Sequence, residues 1–446
     1  MHKNPKLLAL TSYTRWMLAT IPANLAYAPL ATLVPLYVLA LGGNLVDVAL
    51  TATAFNAVST LFSFFWGRLT DMAGKRKQFI LISYIGVTAL LFLMYFSSNV
   101  LELILLYSGI GLFQQANPTA YNLLVMETDR RENWSKNFSS LQTVSGIGMV
   151  IGLIIAAIVA GFSSLKVIIL LFGISSLVST VFAYFVIIEP NISVKKEEEV
   201  GKHLVNIFSL LSYPLRFVRL PEPKKVLGIV RNLHLSKRMH STFALLCISW
   251  LIFNIGMSMV NAEYPASLNV HGVAESGVFM VILLAMIIQT ALFYYVHRML
   301  NKDRLEYTMA SMIAVRGISY VMIGMSFLII GVWFFAANIF LYALFAGFSY
   351  PIYYTSSYSI LFKSIGDRGR GNALGIYNGI GWVGYLSGAI FAGVILVEGF
   401  TLFYITAALL IFASIYPLKA ILNPNKHTIP ERPQHASVMA HSAHTL

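Results

Sequence analysis

Glu263 and Arg316 are the two charged side chains that fall inside long apolar stretches of this 446-residue chain. A charge surrounded by hydrocarbon costs about 2.5 kcal/mol or more, so each calls for a partner or a purpose. A partly buried carboxylate at Glu263, beside Tyr264 and Pro265, is suited to taking up and releasing a proton. At the outer rim of a membrane it would instead be wet and ionised. Arg316 can meet an anionic group, but its place in the stretch favours snorkelling to the phosphate layer or pairing with Glu306 or Asp367. Neutral polar side chains recur at comparable depth: Asn24, Tyr27, Gln114, Gln115, Asn254 and Tyr350, to which Asn56, Gln142, Gln289, Asn378 and Trp382 can add. Amides and hydroxyls beside aromatic rings hold a polar or amphipathic organic solute without burying a charge. The same groups serve equally well as hydrogen bonds between helices.

The chemistry of a soluble enzyme is missing. No phosphate-cradling Gly-rich loop ends in Lys-Ser/Thr, so ATP hydrolysis is not expected. No His/Cys/Asp cluster within the apolar stretches has metal-site spacing, and no cofactor or metal is expected. The histidines of the C-terminal tail, His427, His435, His441 and His444, are scattered. The single cysteine, Cys247, can form no intramolecular disulfide and reads as packing.

One further cluster is polar by necessity. Between two apolar runs stands Gly67-Arg68-Leu69-Thr70-Asp71-Met72-Ala73-Gly74-Lys75-Arg76-Lys77. Gly67 and Gly74 permit close backbone approach and turning, and the Asp71 carboxylate suits the exposed N–H groups and dipole of a helix N-terminus. This Gly-x-Leu-x-Asp-x-x-Gly-basic-basic pattern between a second and a third apolar segment resembles the signature loop of the major facilitator superfamily of secondary transporters. Met72 departs from the family pattern, which has a basic residue there. The resemblance implies that Asp71 faces the start of an eleventh helix near Gly369–Asn372, and that Arg76 pairs with Glu127 or Asp129 beneath the fourth. Such a latch would close the cytoplasmic side and break during each transport cycle. The matching loop of the second half, His297-Arg298-Met299-Leu300-Asn301-Lys302-Asp303-Arg304, has Asn301 where the acid would stand. The fourth segment, Gly109-Ile110-Gly111-Leu112-Phe113-Gln114-Gln115-Ala116-Asn117-Pro118, is similar to the family's fourth helix, but Leu105 replaces its proton-linked arginine. Gly148-x-x-x-Gly152 is close to an antiporter motif of the family but lacks its proline, Leu153 following instead. Close helix packing explains these glycines and Gly384 and Gly388 without antiport.

The elements that position these groups follow from composition. With 57% hydrophobic and 11% charged residues and a mean hydropathy of +0.73, the chain cannot coat a soluble globule. A helix crossing a core of about 30 Å needs about 20 apolar residues. Reading between charges predicts spans near Trp16–Leu41, Val48–Trp66, Gln78–Leu101, Leu103–Met126, Asn137–Leu165, Val167–Ile188, Ser241–Ala262 and Ser276–Val296. Tyr307–Phe362 holds two more, parted near Ala336-Ala337-Asn338, and Gly371–Val397 and Gly399–Leu418 complete twelve. Of the Lys and Arg residues, Lys166 alone lies in an odd-numbered loop and Arg316 within a span; the others sit at the termini or in even-numbered loops. Both termini are therefore expected in the cytoplasm of a multi-pass cell-membrane protein. The same distribution assigns the net charge of +13 to a face against anionic lipid rather than to nucleic acid.

The chain also copies itself. A shift of 230 positions places Asn24 on Asn254, Pro35 on Pro265 and Gly42 on Gly272; a shift of 236 places Gly148 on Gly384 and Gly152 on Gly388. The expected organisation is a cytoplasmic N-terminus (1–15), an N-terminal six-helix bundle (16–189), a cytoplasmic linker (190–240) that is either an interfacial amphipathic stretch or an unstructured tether, a C-terminal six-helix bundle (241–422) and a disordered tail (423–446). The expected function is secondary active transport of a small organic solute by alternating access, coupled to a proton, with a polar neutral solute favoured and a monomer sufficing. The alternatives are a drug or metabolite efflux antiporter and, of another class, a non-transporting membrane sensor or scaffold of the same fold.

Overall fold

The computed structural model describes residues 12–73, 75–128, 134–187, 237–300, 304–364 and 370–422. The described chain is helical. A 3₁₀ turn, Ser12–Ala19, runs into α1 (Thr20–Ala40), followed by α2 (Leu45–Ala73), α3 (Arg76–Tyr95), α4 (Val100–Gln114), α5 (Ala116–Thr128), α6 (Trp134–Ala160) and α7 (Leu165–Val186). The second half contains α8 (Lys237–Val270), α9 (Glu275–Met299), α10 (Leu305–Ser326), α11 (Val332–Tyr342), a π-helical turn (Ala343–Ser349), α12 (Tyr350–Ser364), α13 (Arg370–Ile395), α14 (Phe400–Ala413) and α15 (Ile415–Leu422). Among the described residues, eleven helical segments are long and apolar enough to cross a membrane. The twelfth span is α4 with α5, interrupted only at Gln115. Pro118 supplies the reason: it has no N–H to return to the Gln114 carbonyl, so the helical ladder is broken there. Trp66 Nε1 donates to the neighbouring Leu112 carbonyl at 2.8 Å.

Helix starts on the face opposite the termini are fixed by short polar side chains. Asn44 Oδ1 accepts from the Val46 and Asp47 N–H groups while Asp47 accepts from the Asn44 N–H; before α4, Asn99 Oδ1 accepts from the Glu102 N–H while Glu102 accepts from the Ser98 N–H. Spans one and seven both turn at glycines of positive φ, Gly42 at 86° and Gly272 at 93°, positions that the sequence repeat superposes.

The two six-helix halves meet chiefly along three seams: α1 against α8, α2 against α13, and α6 against α9. Within each half, a glycine helix packs onto the first helix of that half. A side chain at Gly148 or Gly152 would collide with the Ile21 or Leu25 carbonyl of α1. At Gly384 it would lie 2.8 Å from the Leu251 carbonyl of α8, and at Gly388 it would strike Ile255. Backbone contact on this scale is what small residues four apart permit.

Three expectations are corrected. The ninth and tenth spans part at Phe327–Gly331, where Gly331 adopts a φ of 71°, and Ala336–Asn338 lies inside α11. The hinge is shorter than its polar residues suggest: α2 continues to Ala73 because a helix satisfies its own backbone as well in water as in lipid. Gly67 lies within α2 with nothing described within 4 Å of an added Cβ, so close approach does not explain it. The amphipathic stretch within 190–240, apart from the residues of α8, lies outside the described residues, as does the tail 423–446.

Candidate functional site

Arg316 stands eleven residues into α10, about 16 Å along the axis and thus near mid-depth of a core of about 30 Å. It is 2% exposed. It neither snorkels nor pairs with Glu306; Asp367 lies outside the described residues. The guanidinium lies 5.1 Å from the Phe345 ring, 5.3 Å from Phe253, 5.5 Å from Tyr350 and 5.7 Å from Tyr320. Its Nε donates to the Tyr320 hydroxyl at 3.2 Å, while Nη1 has no partner. Aromatic faces attract a cation by about 0.5–2 kcal/mol each. They offset part of the burial cost but supply no counter-charge.

The cage is built by three spans, and the π-helical turn decides its shape. Pro351 leaves the Gly347 carbonyl without its helical donor, and the ladder widens over Ala343–Ser349. Phe345, inside the turn, and Tyr350, just after it, thereby both face Arg316. Beyond Phe253 the rings continue: Tyr353 stacks on Phe253 at 4.0 Å, and Trp250 stacks on Tyr377 at 4.9 Å and on Tyr353 at 6.0 Å. The Tyr353 hydroxyl and Trp250 Nε1 are also buried without partners.

Glu263 is fully buried in α8, and neither carboxylate oxygen has a partner. It is not a wet residue of the rim. Rings join the surroundings of Glu263 and Arg316: Tyr264, next to Glu263, stacks on Tyr342 at 4.6 Å, and Tyr342 meets Phe345 of the Arg316 cage at 4.7 Å.

The neutral polar residues divide. Asn24 and Asn254 repeat one device, donating back to the carbonyl four residues earlier, Thr20 at 2.9 Å and Trp250 at 2.6 Å. Tyr27 turns away from the seams into the N-terminal half, facing Ser176 of α7 at 3.5 Å and the Tyr84 ring of α3 at 5.9 Å. Gln115 is buried at the break in the fourth span and Gln114 is half-buried beside it. Tyr350 joins the Arg316 cage. On the α2–α13 seam, Thr60 donates to the Trp382 carbonyl at 3.1 Å, Asn56 to that of Tyr385 at 3.4 Å, and Ser258 of α8 to the same Tyr385 oxygen at 2.6 Å. Leu105 is 65% exposed and faces outward, so it does not line the interior.

At the terminus-bearing end, α6 meets α12 through rings: Trp134 and Phe138 lie 6.1 and 5.6 Å from Phe362, and Phe138 lies 6.0 Å from Tyr358. In the hinge, Arg76 Nη1 donates to the Thr70 carbonyl, folding the start of α3 back onto the end of α2. The side chains of Asp71 and Glu127, and all of Gly74 and Asp129, lie outside the described residues.

The family model of the Major Facilitator Superfamily matches residues 16–323. The chain belongs to that superfamily and is a multi-pass membrane transporter rather than an enzyme. Its fold is shared with the human organic anion transporter MFSD10 (TETRAN), at 14% identity and a TM-score of 0.65 over 91% of this chain and 98% of that one. It is also shared with a POT family transporter in complex with thioalcohol conjugated peptide, at 12% identity and a TM-score of 0.69 over 93% and 96% of the two chains. A POT family transporter in complex with 5-aminolevulinic acid gives 13% identity and a TM-score of 0.68 over 93% and 96%. No curated protein matches the chain by sequence.

Proposed function

We propose that this transporter moves a small polar organic solute by alternating access, the two halves rocking about their seams, with a proton carried by Glu263 as the driving ion. Support comes chiefly from one arrangement: polar and aromatic groups at mid-depth in the two pseudo-symmetric halves, and a seam between the halves that, among the described residues, few side-chain hydrogen bonds cross. Such a seam can part at one end and close at the other at modest cost. The termini and the basic loops face the cytoplasm of a cell membrane, and one copy of the chain suffices. Asp71, Gly74, Arg76, Glu127 and Asp129 form the cytoplasmic latch, with Gly67 in the preceding turn of α2. Gln114, Gln115, Asn24 and Asn254 offer amide groups to the solute. The fully neutral solute favoured by the amide and hydroxyl groups does not account for Arg316.

The Phe138–Phe362 contact is the aromatic part of the cytoplasmic gate. In a Cys247→Ser background, the double variant Phe138→Ala, Phe362→Ala is expected to raise thiol labelling of Tyr358→Cys from the cytoplasmic side at least threefold. It is expected to lower labelling of Ala49→Cys, which faces Gly393 at the opposite end, by a similar factor. Opposite changes at the two ends are the mark of rocking. A parallel rise, or no change at Ala49→Cys, contradicts alternating access.

A further inference from the structure

We infer that Arg316 and Tyr353 form the seat of a carboxylate borne by the transported solute, with the surrounding rings holding its organic body. The inference rests on the transport reading above and names the class of substrate for that site.

Three observations lead there. First, Arg316 is a cation that cannot shed its charge, since a guanidinium stays protonated in proteins. It lies near the middle of the membrane with Nη1 unpaired, and the half's buried carboxylate, Glu263, makes no bond to it. A buried charge left without a counter-charge is strongly destabilising. A structural arginine of a membrane interior ordinarily finds a carboxylate or carbonyls; here rings surround it instead. Among the described residues no carboxylate meets it, and the missing negative charge is assigned to one that arrives.

Second, a further unused donor stands on the same platform. The Phe253 ring touches both groups, at 5.3 Å from the guanidinium and 4.0 Å from the Tyr353 ring, and the Tyr353 hydroxyl is buried without a partner. Trp250 Nε1 is a third unpaired donor on that stack. A carboxylate, acceptor-only and planar, matches a guanidinium arm plus a hydroxyl.

Third, the groups come from spans seven, nine and ten. The donors are sealed as the molecule stands; α8, which carries Trp250 and Phe253, faces α1 across the seam between the halves, so a solute approaches them when that seam parts, the motion alternating access requires. Binding would thereby complete the charge balance of the closed state. The aromatic walls favour an organic anion over a small inorganic one, because rings stack on a carbon body and gain nothing from a hydrated ion.

The test is equilibrium binding to purified, detergent-solubilised protein, followed by thermal stabilisation, with benzoate and lactate as probes against benzamide and lactamide. The acids are expected to stabilise the wild type and the amides not. Arg316→Gln should weaken acid binding at least tenfold. Tyr353→Phe, which keeps the ring and loses the donor, should weaken it about three- to fivefold and covers the case in which Arg316→Gln fails to fold. Equal stabilisation by acids and amides, no binding of either acid, or unchanged acid affinity in Tyr353→Phe would overturn the assignment. Binding of this kind without any solute-driven flux in vesicles would sink the transport reading alone; flux that survives in Arg316→Gln at wild-type rates would sink the carboxylate seat alone.

Discussion

Gly152→Val is expected to abolish the folded protein. A Cβ at this position meets the Leu25 carbonyl and the Pro29 ring of α1, and the first of these is backbone. Overpacking costs about 1–3 kcal/mol when neighbouring side chains can shift. Here α6 would have to move away from α1, and this helix pair forms one of the main contacts of the N-terminal half. The expected measurement is a loss of the monodisperse peak in size-exclusion chromatography, with Gly388→Val, its counterpart against Ile255 in the second half, behaving alike. Gly67→Ala serves as the contrast: it meets nothing and replaces a helical glycine, so its melting temperature should match or exceed that of the wild type. A Gly152→Val protein as stable as the wild type would mean that α1 and α6 are not in backbone contact.

The second large effect concerns Glu263→Gln. Both carboxylate oxygens are buried and unpartnered, and an isolated carboxylate is tolerated in such surroundings chiefly as the neutral acid. Glutamine copies that shape and can carry no proton. Folding and melting temperature are therefore expected to hold or rise slightly, while proton movement driven by solute falls at least tenfold. A variant that keeps proton movement would remove Glu263 from the coupling path. One that simply fails to fold would instead mark it as a structural acid.

Composition and length make the twelve spans legible, since charge-free runs of membrane length leave few alternatives. The repeat is equally plain in the sequence, and the matching Gly42 and Gly272 turns and paired glycine seams give it physical content. Span ends were less legible. Ala336-Ala337-Asn338 looks like an interruption because it is small and polar, yet Gly331 makes the turn through a positive φ that hydropathy cannot register. The site divides in the same way. Arg316 and Glu263 announce themselves as charges in oil, but their surroundings depend on which face of each helix turns inward. Asn24 and Tyr27, three residues apart, carry similar polarity in the sequence, and only packing sends Tyr27 into the N-terminal half toward Ser176. The aromatic platform of Trp250, Phe253 and Tyr353 is not legible in the sequence because rings are the common filler of such a chain; the available signal is Pro351, whose missing N–H favours the π-helical turn that aims Phe345 and Tyr350 at Arg316.

The most direct test of the central claim is proton movement in liposomes carrying the purified protein, a trapped pH-sensitive dye and an imposed gradient. Pooled carboxylates, neutral polar solutes and amphipathic drugs are added in turn, with Asp71→Asn as the control for the latch. The account predicts a dye response to the carboxylate pool that is lost in Asp71→Asn and in Glu263→Gln. A response that persists unchanged in both variants, or silence to every pool from protein shown to be folded, contradicts proton-coupled alternating access in this chain.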